Sequence, residues 1–255
     1  PKDLFPLRLE IAFRQMKKKL NTIVDCLTLA TCQKCNDMIL QLKVMMNATV
    51  MIDWGDGAAE SKKWKVDDWG EVRHSYQSPG HFPIIIKTDE ENVLTGLHIV
   101  SRKAICSIDV SSCKGLTHLL YPDQSLEQLL LSRQEYLSVL DVHGNRLQRI
   151  NLRKNLLLTI IDCSNNPLQK IEAMKHPPFR LMCIRKTRLK AKAKRRFRDT
   201  TRLNAGRLLS EGFVDQQTEP LLPTLLFYLN LKSATKPFNV LLACTRPLIT
   251  ELSYK

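Results

Sequence analysis

The sequence predicts a solenoid of short 21-residue units, with a parallel sheet along one side and a mostly non-helical convex side. A small β module precedes the solenoid and a C-terminal helical cap closes it. Three observations carry this expectation. Leu116, Leu137, Leu158 and Phe179 stand 21 residues apart, and three more apolar columns keep the same interval: Leu119, Leu140, Ile161 and Met182; Tyr121, Val142, Cys163 and Ile184; Leu126, Leu147, Leu168 and Leu189. Self-similarity at a fixed period marks stacked structural units. Ahead of the repeats, a Trp54-Gly-Asp-Gly57 turn lies between short alternating runs, and after them comes a basic stretch that favours helix.

At 255 residues and 44% hydrophobic, the chain can build a sizeable core. Its formal charge of +14 is concentrated: twelve Lys/Arg against Asp199 between Arg180 and Arg207 leave the remainder nearly neutral. Eight cysteines are scattered, without the density of a disulfide framework in a short secreted chain. Cys32-x-x-Cys35 has neither a second pair nor a His-x-x-x-His at zinc spacing. No metal or cofactor is therefore expected. No run of 18 apolar residues is present.

Residues 1–37 form an N-terminal segment. From Met16, three lysines, a short apolar stretch and small residues follow the layout of a secretory signal. Leu29-Ala30-Thr31-Cys32 resembles a bacterial lipobox, which makes Cys32 a candidate lipidation site. The alternative is a basic amphipathic N-terminal helix.

Residues 38–90 read as a β module. Ile39–Val44 and Val50–Asp53 are strands, the Asp-Gly turn closes a hairpin, and Phe82-x-Ile84-x-Ile86 alternates as a final strand. Trp-Gly-Asp-Gly, His74-x-Tyr76 and Pro79-Gly-x-Phe-x-Ile together resemble the PKD-type immunoglobulin-like β-sandwich. That resemblance implies structural roles for the turn and for Tyr76. Asp53, Asp56, Asp67 and Asp68 do not follow a calcium-loop spacing and read as turn residues. His74 has no carboxylate or nucleophile beside it in sequence and reads as structural.

Residues 91–188 are the solenoid, opening with a looser 22-residue unit at Leu94, Leu97 and Ile99. The columns at offsets 0, 3, 5, 10, 13 and 15 do not make a coiled-coil seam. His143-Gly-Asn145-Arg-Leu147 and Cys163-Ser-Asn-Asn166-Pro-Leu168 match the leucine-rich-repeat signature. Its asparagine is expected to bond the backbone of the turn leaving each strand, but Gln124 and Thr187 replace it in the outer units. Leu129/Leu131, Ile150/Leu152 and Ile171/Ala173 fill a second set of inward columns and leave little room for helix. Short repeats after a Trp-Gly-Asp-Gly module resemble surface leucine-rich-repeat proteins of Bacteroidetes type.

Residues 189–214 read as a basic capping helix and strand, with Leu189, Ala193 and Phe197 on one helical face. Residues 215–255 follow none of these patterns.

These readings point to a non-enzymatic scaffold that binds a protein or glycan partner on the sheet face. The resemblance implies a secreted or surface-anchored location, with the membrane reached only through a lipid; without the leader, the expectation is cytoplasmic. The outward rows place His118, Leu120, Val139, Asp141, His143, Ile160, Asp162 and Ser164 on that face. The alternative is a nucleic-acid or polyanion binder using Arg185, Lys186, Lys194, Arg195, Arg196 and Arg198. Phe197 is the only aromatic in that segment, so stacking platforms are lacking. No phosphate loop, nucleophile elbow, metal-binding histidine pair or paired-carboxylate motif supports an enzyme.

Overall fold

The computed structural model describes residues 25–32, 35–66 and 69–198. Its strands fall into two large sheets and one small one. In the N-terminal part these are β1 (Asp25–Thr31), β2 (Asp37–Val44), β3 (Ala48–Asp53), β4 (Ala59–Trp64), β5 (Trp69–Ser75) and β6 (Pro83–Thr88). Then follow β7 (Leu94–Ile99), β8 (Ile105–Asp109), β9 (His118–Leu120), β10 (Val139–Asp141), β11 (Arg149–Asn151), β12 (Ile160–Asp162), β13 (Lys170–Glu172) and β14 (Leu181–Cys183).

The repeat period is the hydrogen-bond register of the sheet. In parallel pairing, Val139 lies opposite both His118 and Ile160, and Ile160 lies opposite Leu181, each step being 21 residues. Gly96 opposes His118, which makes the first step 22. The result is a β-solenoid of about four stacked turns with parallel sheets and little helix. On its other side β11 pairs with β13, again at 21 residues. The inward columns fill one core: Leu116, Leu119, Tyr121, Leu137, Leu140, Val142, Leu158 and Cys163 are all fully buried.

Polar ladders run beside this core. Asn145 Nδ2 donates to the carbonyls of Tyr121 and Val142, and its Oδ1 accepts from the Leu126 amide. Asn166 repeats the pattern one turn later. Gln124 does not end the ladder. Its longer arm reaches the Ala104 and Ile105 amides and the carbonyls of Ser101 and Pro122. At Thr187 the hydroxyl reaches the Ile184 carbonyl alone.

Two further ladders are absent from the sequence reading. Asn155 Nδ2 bonds the carbonyls of Leu131 and Gln134, and Gln134 Nε2 that of Val110. The hydroxyls of Thr117, Ser138 and Thr159 each donate to a carbonyl one turn back. Both sets recur at 21 residues, so the period that revealed the leucines also contains them.

The N-terminal part corrects the expected boundaries. The apolar run read as a leader, or as amphipathic helix, is β1. It lies between β6 and β8, antiparallel to both, with Leu27 and Leu29 fully buried. The sheet therefore begins before residue 38. Residues 1–24, where the leader reading starts, lie outside the described residues. Cys32 follows β1 beside the Cys106 thiol, whose hydrogen bond holds its pKa down to about 7. Removing residues 1–31, as a lipobox at Cys32 requires, would extract a central strand.

The boundary at 90/91 is not a physical division either. β7 pairs antiparallel with β2 and parallel with β9, so one seven-stranded sheet runs in the order β14-β12-β10-β9-β7-β2-β5. β8 completes the five-stranded sheet β4-β3-β6-β1-β8. A single buried cluster extends from Leu27 to Phe197.

The turn chemistry follows expectation. Gly55 and Gly57 have φ of 81° and 97°, and the Asp53 and Asp56 carboxylates accept the Gly55 and Ala58 amides. His74 does have a carboxylate partner, Asp56 Oδ2 at 2.7 Å, and stacks on Trp54 at 4.8 Å. Tyr76 donates to the Trp54 carbonyl and stacks on Phe82. Asp67 and Asp68 lie outside the described residues.

The C-terminal end carries helix α1 over 191–198. Phe197 is 2% exposed and meets the Phe179 ring at 6.2 Å, so the helix covers the last turn. The remainder of the expected cap, 199–214, and the segment 215–255 lie outside the described residues.

Candidate functional site

Register across the seven-stranded sheet builds its outer face in rows. One row reads Trp69, Lys43, Gly96, His118, Val139, Ile160, Leu181. Gly96 matters here: a Cβ at this position would come within 2.6 Å of the Trp69 ring. Its absence lets the indole lie across the sheet, edge-on to His118 at 6.2 Å. Trp69, Leu120, Val139 and Ile160 form a second, outer apolar cluster.

This placement divides the sequence-derived face. Leu120, Val139, Asp141 and Ser164 are buried, whereas His118, His143, Ile160 and Asp162 are half-buried, as is Leu181. The apolar row is therefore covered at one end by Trp69 of β5 and remains partly accessible at Ile160 and Leu181. Trp69 was not legible as part of the face, because it belongs to a strand outside the repeat.

The next row reads Glu71, Gln41, His98, Leu120, Asp141, Asp162, Cys183. Gln41 links Glu71 and His98 through bonds of 2.9 Å. Burial pushes the His98 pKa down to about 4, partly offset by Glu71, and burial together with Lys43 pushes His118 to about 4. An unfolded histidine takes up a proton near pH 6.5. Stability from these two neutral rings is therefore intact above pH 6.5 and lost as pH falls toward 4, where the unfolded chain binds more protons. The expected result is a downward slope of unfolding free energy across pH 6.5–4 that flattens in a His98→Gln/His118→Gln variant. An equal slope in the variant would refute the assignment.

Asp141, His143 and Asp162 converge at the end of this row. His143 Nδ1 lies 2.7 Å from Asp141 Oδ1, and Nε2 lies 3.8 Å from Asp123 Oδ1. Asp141 is 1% exposed. Burial raises its pKa, opposed by the hydrogen bond and charge of His143. For His143 burial acts downward, but the Asp141 bond and the charges of Asp141, Asp162 and Asp123 outweigh it and lift the ring to about 9. The strand-exit turns explain part of this arrangement. Asp141 Oδ1 also accepts the His143 amide and Asp162 Oδ1 accepts the Ser164 amide, the local bonding by which Asp favours turns.

The basic segment is tied to the solenoid's end. Lys194 Nζ donates to the Thr187 carbonyl, and Arg196 donates to those of Met174 and Lys175 while its guanidinium lies over the Phe197 ring. Arg185, Lys186, Arg195 and Arg198 are exposed. Arg185 follows β14, where its carbonyl accepts the Asn165 amide, whereas Arg195 and Arg198 lie on α1. Comparison of the chain with models of known protein families and with curated proteins gives no match.

Proposed function

We propose that this protein is a non-enzymatic binding scaffold whose solenoid sheet holds a protein or glycan partner. The reading rests on one observation, the accessible apolar strip of Ile160 and Leu181 on a sheet face bordered by carboxylates. Adjoining apolar side chains left half-buried on a sheet face are the kind of surface a partner can complete. The narrower identification, a leucine-rich-repeat protein with a PKD-like module displayed on a bacterial surface, is supported by the asparagine ladder and by the Trp54–Tyr76 turn packing. The polyanion alternative is weakened because Lys194 and Arg196 already cap backbone carbonyls.

A photo-crosslinking residue at position 160, introduced into the full chain in its native cells, should trap a partner identifiable by mass spectrometry. Ile160→Gln/Leu181→Gln should weaken that partner's binding about tenfold per position, the scale of one buried apolar side chain lost, while leaving the melting temperature unchanged. Undiminished binding in this double variant would sink the reading.

A further inference from the structure

We infer that Asp141, His143 and Asp162 form a binding site for one divalent transition-metal cation, of which zinc is the reference case. Carboxylate and imidazole ligand atoms from these three residues lie within 4.8 Å of one another. Around a single ion at about 2.1 Å from each ligand, neighbouring ligands sit roughly 3–4 Å apart. Small side-chain rotations therefore close the set.

A cluster of this kind could serve only the strand-exit turns. The turns account for Asp141 Oδ1, which accepts both the His143 amide and Nδ1. They do not account for Asp141 Oδ2, which is buried and accepts no hydrogen bond from the protein. A buried carboxylate oxygen without a partner is costly, and a cation supplies what it lacks. The surroundings also suit a metal site. Backbone amides fix both carboxylates, and with Nδ1 turned toward Asp141, His143 presents Nε2 toward Asp123 at 3.8 Å. Ligating imidazoles are commonly oriented by a carboxylate on the far nitrogen. Arg102 in turn approaches Asp123 at 3.5 Å. Mixed imidazole and carboxylate ligation favours zinc, manganese or iron over magnesium and calcium. Three protein ligands leave at least one coordination position open.

This inference stands independently of the partner reading, because its test uses the metal alone. Full-length protein titrated calorimetrically with Zn²⁺ should bind one equivalent that Asp162→Asn loses or weakens by at least about a hundredfold, more than the loss of an outer-shell partner costs. The Asn oxygen still accepts the Ser164 amide, so the fold is retained, and a circular-dichroism melt verifies this. Bound Co²⁺ should show ligand-field bands without a thiolate charge-transfer band. A second variant, Asp123→Asn, should weaken binding about tenfold. The inference is overturned by absence of stoichiometric binding, by equal affinity in Asp162→Asn, or by a thiolate band, which would place the metal on cysteines. Ile160→Gln/Leu181→Gln keeps all three ligands and should bind zinc normally, so failure of one idea does not carry the other with it.

Discussion

Asn166→Ala is expected to destabilise the protein by about 3 kcal/mol in urea unfolding, from leaving several buried backbone groups unpaired. Asn166 is 1% exposed, and its amide serves the Val142, Cys163 and Ser164 carbonyls while accepting the Leu147 amide. No water can take over inside the stack without opening it. Asn166→Asp should cost more than Ala, because the carboxylate cannot donate to the three carbonyls and carries a buried charge. Asn151→Ala is the comparison: its Oδ1 accepts the Arg153 amide on the exposed side and should cost under about 1 kcal/mol. Similar effects at positions 166 and 151 would mean that the ladder does not support the turns.

Phe197→Ala should cost about 3–5 kcal/mol, the usual range for a buried phenylalanine. The site of the loss is as informative as its size. Each turn of a solenoid contacts only its neighbours, so removing a cap exposes the terminal turn first. Hydrogen exchange should quicken at the Leu181 and Cys163 amides before those of β2 and β7 respond. Stability within 1 kcal/mol of wild type, or exchange that rises uniformly, would remove the capping role. Arg196→Ala provides a milder version, since it deletes the bonds to Met174 and Lys175 and uncovers the Phe197 ring.

The two variants probe features of different legibility. Asn166 stands in a column that any reader of the 21-residue period finds, and Phe197 falls at i+8 from Leu189 on an evident helical face. The strands β4 and β5 were missed for a physical reason. Of Ala59–Trp64 only Trp64 is buried, and of Trp69–Ser75 only Val72, so neither shows an apolar alternation. β1 was not legible as a strand because its Leu-Thr-Leu alternation follows a lysine run and resembles a leader. The Asp141, His143 and Asp162 cluster was not legible for a similar reason: ligand motifs are read along the chain, whereas Asp162 meets Asp141 only across the sheet.

The sequence by itself determined the repeat length, the inward columns, the strand register of β9, β10, β12 and β14 and the capping helix. All of these follow from nearest-neighbour stacking, which a period encodes directly. Only the tertiary structure decided that β1 belongs to the fold, that Trp69 covers one end of the face, and that Asp141 is buried with one oxygen unpaired. Those outcomes depend on pairings between distant, non-repeating segments, such as β1 with β6 and β2 with β5. They also depend on how closely the sheet face packs once those strands join it.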